Sequence, residues 1–168
     1  MAERLKVGGI MQSDGRAVVK VMSCPDRPDI AGLVLGTLGD RNINIEFLVQ
    51  SLDLDGFSNF TLCIDRKDLE SAFGCLEAIK PSLEAKVISY NPDVAVISVF
   101  GPHFREKPKI AGIMFSALAS VGVNCIAIST SISSVSCVVD AGDAEAAVNV
   151  LNEAFEAPQQ VKQRPKAY

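Results

Sequence analysis

The sequence predicts an α+β fold built from two ferredoxin-like β-α-β-β-α-β units, the first inserted into the second. Three observations carry that expectation. The chain repeats itself at an offset of 80 residues. Within each copy the apolar period switches between the two-residue step of a strand and the three- and four-residue steps of a helix. The second copy ends without a last strand, while an unassigned apolar strand, Leu5–Met11, precedes the first copy.

The repeat is legible residue by residue. Pro28-Asp29-Ile30-Ala31-Gly32-Leu33 aligns with Pro108-Lys109-Ile110-Ala111-Gly112-Ile113, and Leu38, Ile43 and Asn44 align with Leu118, Val123 and Asn124. Further on the offset falls to 75, where Asp68, Ala72 and Leu76 meet Asp143, Ala147 and Leu151. The difference lies in the hairpins: Asp53-Leu54-Asp55-Gly56 is a turn signal, and its counterpart around Ser131–Ser134 is tighter.

In the first copy, Val18, Val19, Val21 and Met22 make an apolar strand that stops at Cys24-Pro25-Asp26-Arg27-Pro28. Ile30, Leu33, Val34, Thr37 and Leu38 then form the inner face of an amphipathic helix closed by Asn42. Ile43, Ile45, Phe47 and Val49 alternate as a half-buried strand, and Phe60, Leu62 and Ile64 do so after the turn. Leu69, Ala72, Phe73, Leu76 and Ile79 make a second helix expected to stop before Pro81. A strand over 85–90 follows, and Asn91-Pro92-Asp93 reads as the break between copies. The second copy supplies strand 94–100, helix 109–121, strands 124–130 and 134–140, and helix 143–156. With Leu5–Met11 assigned to its sheet, the expected divisions are 12–92, then 5–11 with 93–156, and a flexible basic tail over 157–168.

Composition removes most catalytic templates. The chain has 168 residues, 48% of them hydrophobic, and a net charge of −4. That is ample for a packed core and too acidic for electrostatic nucleic-acid binding. Lys162, Arg164 and Lys166 make the tail basic. The single histidine, His103, cannot build a multi-histidine metal site, and a solvated loop residue is its plainer reading. Five cysteines, Cys24, Cys63, Cys75, Cys125 and Cys137, are never spaced C-x-x-C and read as small buried hydrophobes in a reducing cytoplasm. There is no signal-peptide pattern and no apolar run of membrane-spanning length, so a cytoplasmic location is expected. With no Gly-rich phosphate loop and no acidic metal cluster, no catalytic residue, metal or cofactor is expected.

The residues carrying this layout resemble the paired ACT domains of aspartate kinase regulatory regions over about residues 5–157. They are Cys24 to Ala31, Asn42-Ile43-Asn44-Ile45-Glu46, Val49-Gln50 with Phe60-Thr61, Asn124, Ile128-Ser129-Thr130-Ser131, and the ending Leu151-Asn152-Glu153-Ala154-Phe155. The resemblance implies an effector-binding site for a small amino acid of lysine or threonine type, formed by Asp26, Pro28, Asp29, Ile30, Ala31, Asn44, Gln50, Asn124, Ser129 and Thr130. The physics suits it: a helix start presents free N–H groups to a carboxylate. A purely structural alternative stands beside it, with Asp26 as a helix cap and Asn44 and Asn124 satisfying turns.

Departures from the family pattern matter. Asp29 and Lys109 stand where the family has glycine, and Ile132 replaces an acidic residue. Gly101 and Pro108 of the second loop remain, whereas His103, Phe104, Glu106 and Lys107 differ. The resemblance implies an amino-acid-responsive allosteric regulatory protein like an aspartate kinase β subunit, working in aspartate-family amino-acid biosynthesis. Met1 close to the first strand fits a separate subunit. The implied partners are copies of itself and a kinase catalytic subunit, with no nucleic acid and no membrane. The alternative is a degenerate ACT module that dimerises without binding an amino acid.

Overall fold

A computed structural model describes residues 4–158 and 160–162. The chain divides into two compact units, Gly15–Asp93 and the residues up to Asp14 together with those from Val94 onward. They are called the first and second unit below, after the copy of the repeat that each contains.

The first unit contains β2 from Gly15 to Pro25, α1 (Asp29–Gly39), β3 (Ile45–Leu52), β4 (Phe57–Asp65), α2 (Leu69–Leu83) and the start of β5 (Val87–Phe100). Its strand order is β3-β4-β2-β5, with β4 antiparallel to both β2 and β3. In the second unit, β5 continues into α3 (Ile110–Ser120), β6 (Ala127–Thr130), β7 (Ser134–Asp140) and α4 (Ala144–Ala154). Its order is β2-β5-β7-β6, so the N-terminal part of β2, which begins at Gly9, supplies the fourth strand. Each unit is ferredoxin-like, with two helices on one face of a four-stranded sheet.

The repeat survives at the level of burial. Ile30, Val34 and Leu38 of α1 are buried, and so are Ile110, Met114 and Leu118 of α3 at the same offset. Leu33 and Thr37 are only half-buried, at the edge of the stripe that the periodicity outlines. Both helices end alike. Asn42 and Gly122 adopt left-handed φ values of 56° and 74°, and the following Ile43 and Val123 N–H groups donate to Leu38 and Leu118 carbonyls at 3.0 and 3.1 Å. That return bond satisfies carbonyls the helix leaves open, which is why Asn or Gly stands there.

Four details differ from the sequence expectations. Helix α2 does not stop before Pro81 but runs to Leu83, where Glu84 closes it in a left-handed conformation. Proline removes one helical hydrogen bond in the last turn, and complete burial of Leu83 offsets that loss. The division between units does fall at Asn91-Pro92-Asp93, directly after Asp93, but without an interruption of the strand, since β5 continues through it. The orphan segment is split: β1 (Leu5–Lys6) pairs in parallel with β8 (Phe155–Glu156), and β2 starts only at Gly9. Within the expected tail, β9 (Gln160–Lys162) pairs in parallel with Ile10–Gln12. The remaining tail positions, 159 and 163–168, lie outside the described residues.

The break between β1 and β2 is a close backbone crossing. Gly8 N–H donates to the Phe100 carbonyl at 2.7 Å, and a Cβ on Gly101 would lie 2.7 Å from the Gly8 nitrogen. Only glycine fits at 101. Gly112 on α3, by contrast, meets nothing within 4 Å. Gly101→Ala is therefore expected to destabilise the protein by about 1–3 kcal/mol in urea denaturation. Gly112→Ala should instead stabilise it by about 0.5–1 kcal/mol.

Candidate functional site

The loop leading into α1 leaves the sheet from a pinned bulge. The β2–β4 register shifts between Val21 and Cys24, and Ser23 takes a left-handed φ of 57°. Its N–H donates to Asn59 Oδ1 at 2.8 Å. Asn59 Nδ2 in turn donates to Asp53 Oδ2 and to the Phe57 carbonyl, both at 3.2 Å. Asp53 Oδ1 accepts the Asp55 and Phe57 N–H groups at 3.0 Å each. These bonds, led by that from Phe57, hold the Asp53 carboxyl below the usual carboxylate range. One hairpin side chain thus fixes the direction in which Cys24–Pro28 leaves the sheet.

Asp26, Pro28 and Asp29 are exposed on this loop and Ala31 is half-buried. Pro28 occupies the N-cap of α1 and has no side-chain acceptor, so Asp26 is not the helix cap. Ile30 is 1% exposed within the first unit's core, which leaves it only its backbone to offer, and its N–H donates to the Arg27 carbonyl at 3.3 Å. Arg27 holds the loop down. It donates to Asp29 Oδ1 at 3.3 Å and to the Ser82 carbonyl at 3.2 Å, and it pairs with Glu84 at the end of α2.

Strand directions sort the remaining candidates. Because β2 and β3 are both antiparallel to β4, the C-terminal end of β3 lies at the same end of the unit as the start of α1. Gln50 is therefore at the loop's end, donating to Ser58 Oγ at 3.1 Å. Asn44 is at the other end, about 20 Å away along six extended residues. The second unit repeats this arrangement: Thr130 lies at the end where α3 starts, and Asn124 at the opposite end. Ser129 stands opposite Ser136, whose Oγ is 2.7 Å from Ser98 Oγ. Neither asparagine joins the loop of its own unit.

The departures from the family pattern have visible placements. Lys109 is exposed at the N-cap of α3. Ile132 is 64% exposed in the tight turn where Ser131 Oγ accepts the Ser133 and Ser134 N–H groups. His103 is exposed, left-handed at φ 61°, and 3.7 Å from Glu106. Lys107 is engaged, its Nζ donating to the Lys6 carbonyl at 2.9 Å. Phe104, at the centre of this loop, is buried in the second unit's core. Among the described residues no group of three metal-ligating side chains exists, and no helix is long and apolar enough to cross a membrane.

Sequence reasoning missed an ion pair. Arg16 of β2 grips Glu46 of β3 with two nitrogens, one bond measuring 3.2 Å, and Asp65 lies 3.8 Å away. The two side chains are 17% and 16% exposed. A bulge between Ile45 and Phe47 leaves Glu46 as the extra residue on β3. The pair links β2 to β3 across β4, where Cys63 sits between Val18 and Phe47. Burial, with the Glu46 charge adding, pushes the Cys63 thiol up to about 12. In the second unit the register that puts Arg16 opposite Asp65 puts the apolar Val94 opposite Asp140. A lone arginine opening an apolar strand was the available signal, but its partner is thirty positions away.

ACT-domain family models match residues 17–81 and 97–155, one in each unit. A crystal structure of aspartokinase α and β subunits superimposes with a TM-score of 0.82 at 30% identity, over 88% of this chain and 97% of that one. This chain belongs to the paired ACT domains of the aspartokinase regulatory region. The regulatory subunit of aspartate kinase from Thermus thermophilus also matches with a TM-score of 0.82, at 27% identity, over 89% and 99% of the two chains. The aspartate kinase of Stutzerimonas stutzeri is 31% identical over 150 residues, 89% of this chain and 36% of its own length. The chain thus spans about a third of the curated kinases it matches and nearly all of the regulatory subunits. Its two ACT units are regulatory and non-catalytic.

Removing one partner of the ACT ion pair, by Arg16→Ala or Glu46→Gln, should cost about 2–3 kcal/mol. Glu46→Gln, which removes the charge that helps push the Cys63 thiol up, should also speed alkylation of Cys63, read by mass spectrometry of the labelled thiol. For Asp53→Asn the folded carboxyl lies below its unfolded value, so its stabilisation is present above the unfolded carboxylate pKa and is lost as pH falls through the folded one. Denaturation of wild type and variant should therefore differ at neutral pH and converge in acid.

Proposed function

We propose that this ACT pair is an amino-acid-responsive allosteric regulator of aspartate kinase in the cytoplasm, taking an effector of lysine or threonine type. The observation that carries the reading is the rigid presentation of the loop at the start of α1. A bulge pinned by Asn59 aims it, and Gln50 lies at the same end of the unit. There Asp26, Pro28 and the Ala31 backbone surround a helix start suited to an amino acid's carboxylate.

Asn44 and Asn124 enter the same proposal as groups contributed between copies, and Ser129 and Thr130 as groups at the end of the second unit where α3 starts. About 20 Å separates Asn44 from the loop of its own unit, whereas an amino acid spans only several ångströms. That distance supports a homo-oligomer in which one copy's asparagine completes another copy's site. Effector binding then biases how copies associate and, through them, a kinase catalytic chain, with the coupling of about 1–3 kcal/mol usual for allostery. The match to an α/β aspartokinase supports such a catalytic partner.

A second reading, a dimerising ACT module without a ligand, is favoured by Asp29, already paired with Arg27 at the helix start, and by the solvent-facing Ile132. Calorimetric titration with L-lysine and L-threonine separates the two readings, heat of binding being expected from the first and none from the second. Asn44→Ala should weaken binding about tenfold or more if copies share sites, as expected for loss of a polar contact to a charged ligand. In addition, an aspartate kinase catalytic chain should co-purify and change its rate when this chain and the effector are added. Failure to co-purify would remove the partner assignment.

A further inference from the structure

Arg27 is the hub of the candidate loop, and its partners come from two elements. Nε donates to Asp29 Oδ1 at 3.3 Å in the first turn of α1, Nη2 donates to the Ser82 carbonyl at 3.2 Å, and Nη1 pairs with Glu84. One guanidinium therefore serves two carboxylates, and it ties the loop to the end of α2. These hydrogen bonds, that to Glu84 first and that to Asp29 second, hold its pKa above the ordinary arginine value. The Asp29 side chain is 62% exposed, so its pairing is exchangeable rather than locked.

Asp29 thus places a carboxylate of the protein itself at the first residue of the helix, beside a cation. The matching position in the second unit is Lys109, of opposite charge. A ligand carboxylate approaching the first loop meets like charge and a competitor for the same guanidinium. We infer that the Arg27–Asp29 contact is autoinhibitory, with Asp29 acting as an intramolecular competitor that an amino-acid effector must displace from Arg27. The inference rests on the effector reading proposed above and specifies how that site is regulated.

The test is calorimetric titration of the full chain and of its Asp29→Gly and Asp29→Asn variants. The probes are L-lysine, L-threonine and their carboxamides, which keep the ammonium group but lack the negative charge. Both variants are expected to bind the free amino acid about tenfold more tightly, as removal of a like charge a few ångströms away near a surface allows. The carboxamides should bind all three proteins alike. Thermal melting monitored by circular dichroism checks that both variants are folded, and the asparagine variant keeps the side-chain volume if glycine loosens the helix start. Binding by the wild type with no gain in either variant, or an equal gain for the carboxamides, overturns the inference and leaves the effector reading standing. A silent wild type with binding variants supports the inference in its strongest form and removes the effector role from the native loop. Silence in all three proteins ends both.

Discussion

Backbone hydrogen bonding at strand edges is the constraint on which this molecule depends. A ferredoxin-like sheet needs four strands, and an uncovered edge leaves a row of unpaired donors and acceptors. The copy that begins at Val94 provides only three strands before α4 ends, so the N-terminal residues supply the fourth. Everything between, Gly15 to Asp93, builds its own sheet from the remainder of β2 and the beginning of β5. The Gly8–Gly101 crossing follows from the same requirement, since β1 must pair with β8 while β2 joins the sheet a few residues later.

Much of this was legible because the governing forces are local or periodic. The helix stripes at Ile30, Val34, Leu38 and at Ile110, Met114, Leu118 declare themselves through spacing, as does the Asn42 terminus through left-handed tolerance. Pro81 and Pro92 misled for a shared reason: proline's cost is modest at a helix's last turn or in a strand position, and tertiary burial of Leu83 or continuity of β5 outweighs it. The candidate loop before α1 was legible as a loop but not as a geometry. That Asn44 and Gln50 stand at opposite ends depends on strand direction, and Arg16–Glu46 depends on a bulge and a register that no local pattern encodes.

The two copies share a backbone and have diverged in charge. Where the first unit bridges its strands with a partly buried ion pair, the second has Val94 at the arginine's position. Where the first helix begins with Asp29 under Arg27, the second begins behind Lys109. The two units thus keep their packing while differing in the polar groups they carry at matching positions. The shared scaffold explains why family models match both halves although their loops differ chemically.

The split of the second unit around the first also sets an order of events on the ribosome. The first unit has all of its strands once residue 93 has emerged. The segment from Leu5 to Asp14 must then wait for β7, α4 and Phe155 before its own sheet can close. At usual synthesis rates of about 5–20 residues per second, that wait is roughly 3–12 s. During it, the apolar strand lacks its complete sheet, and the closing contact joins residues about 150 positions apart. The slow, long-range step of folding thus falls on the second unit, and it takes place with the loop of the first already formed.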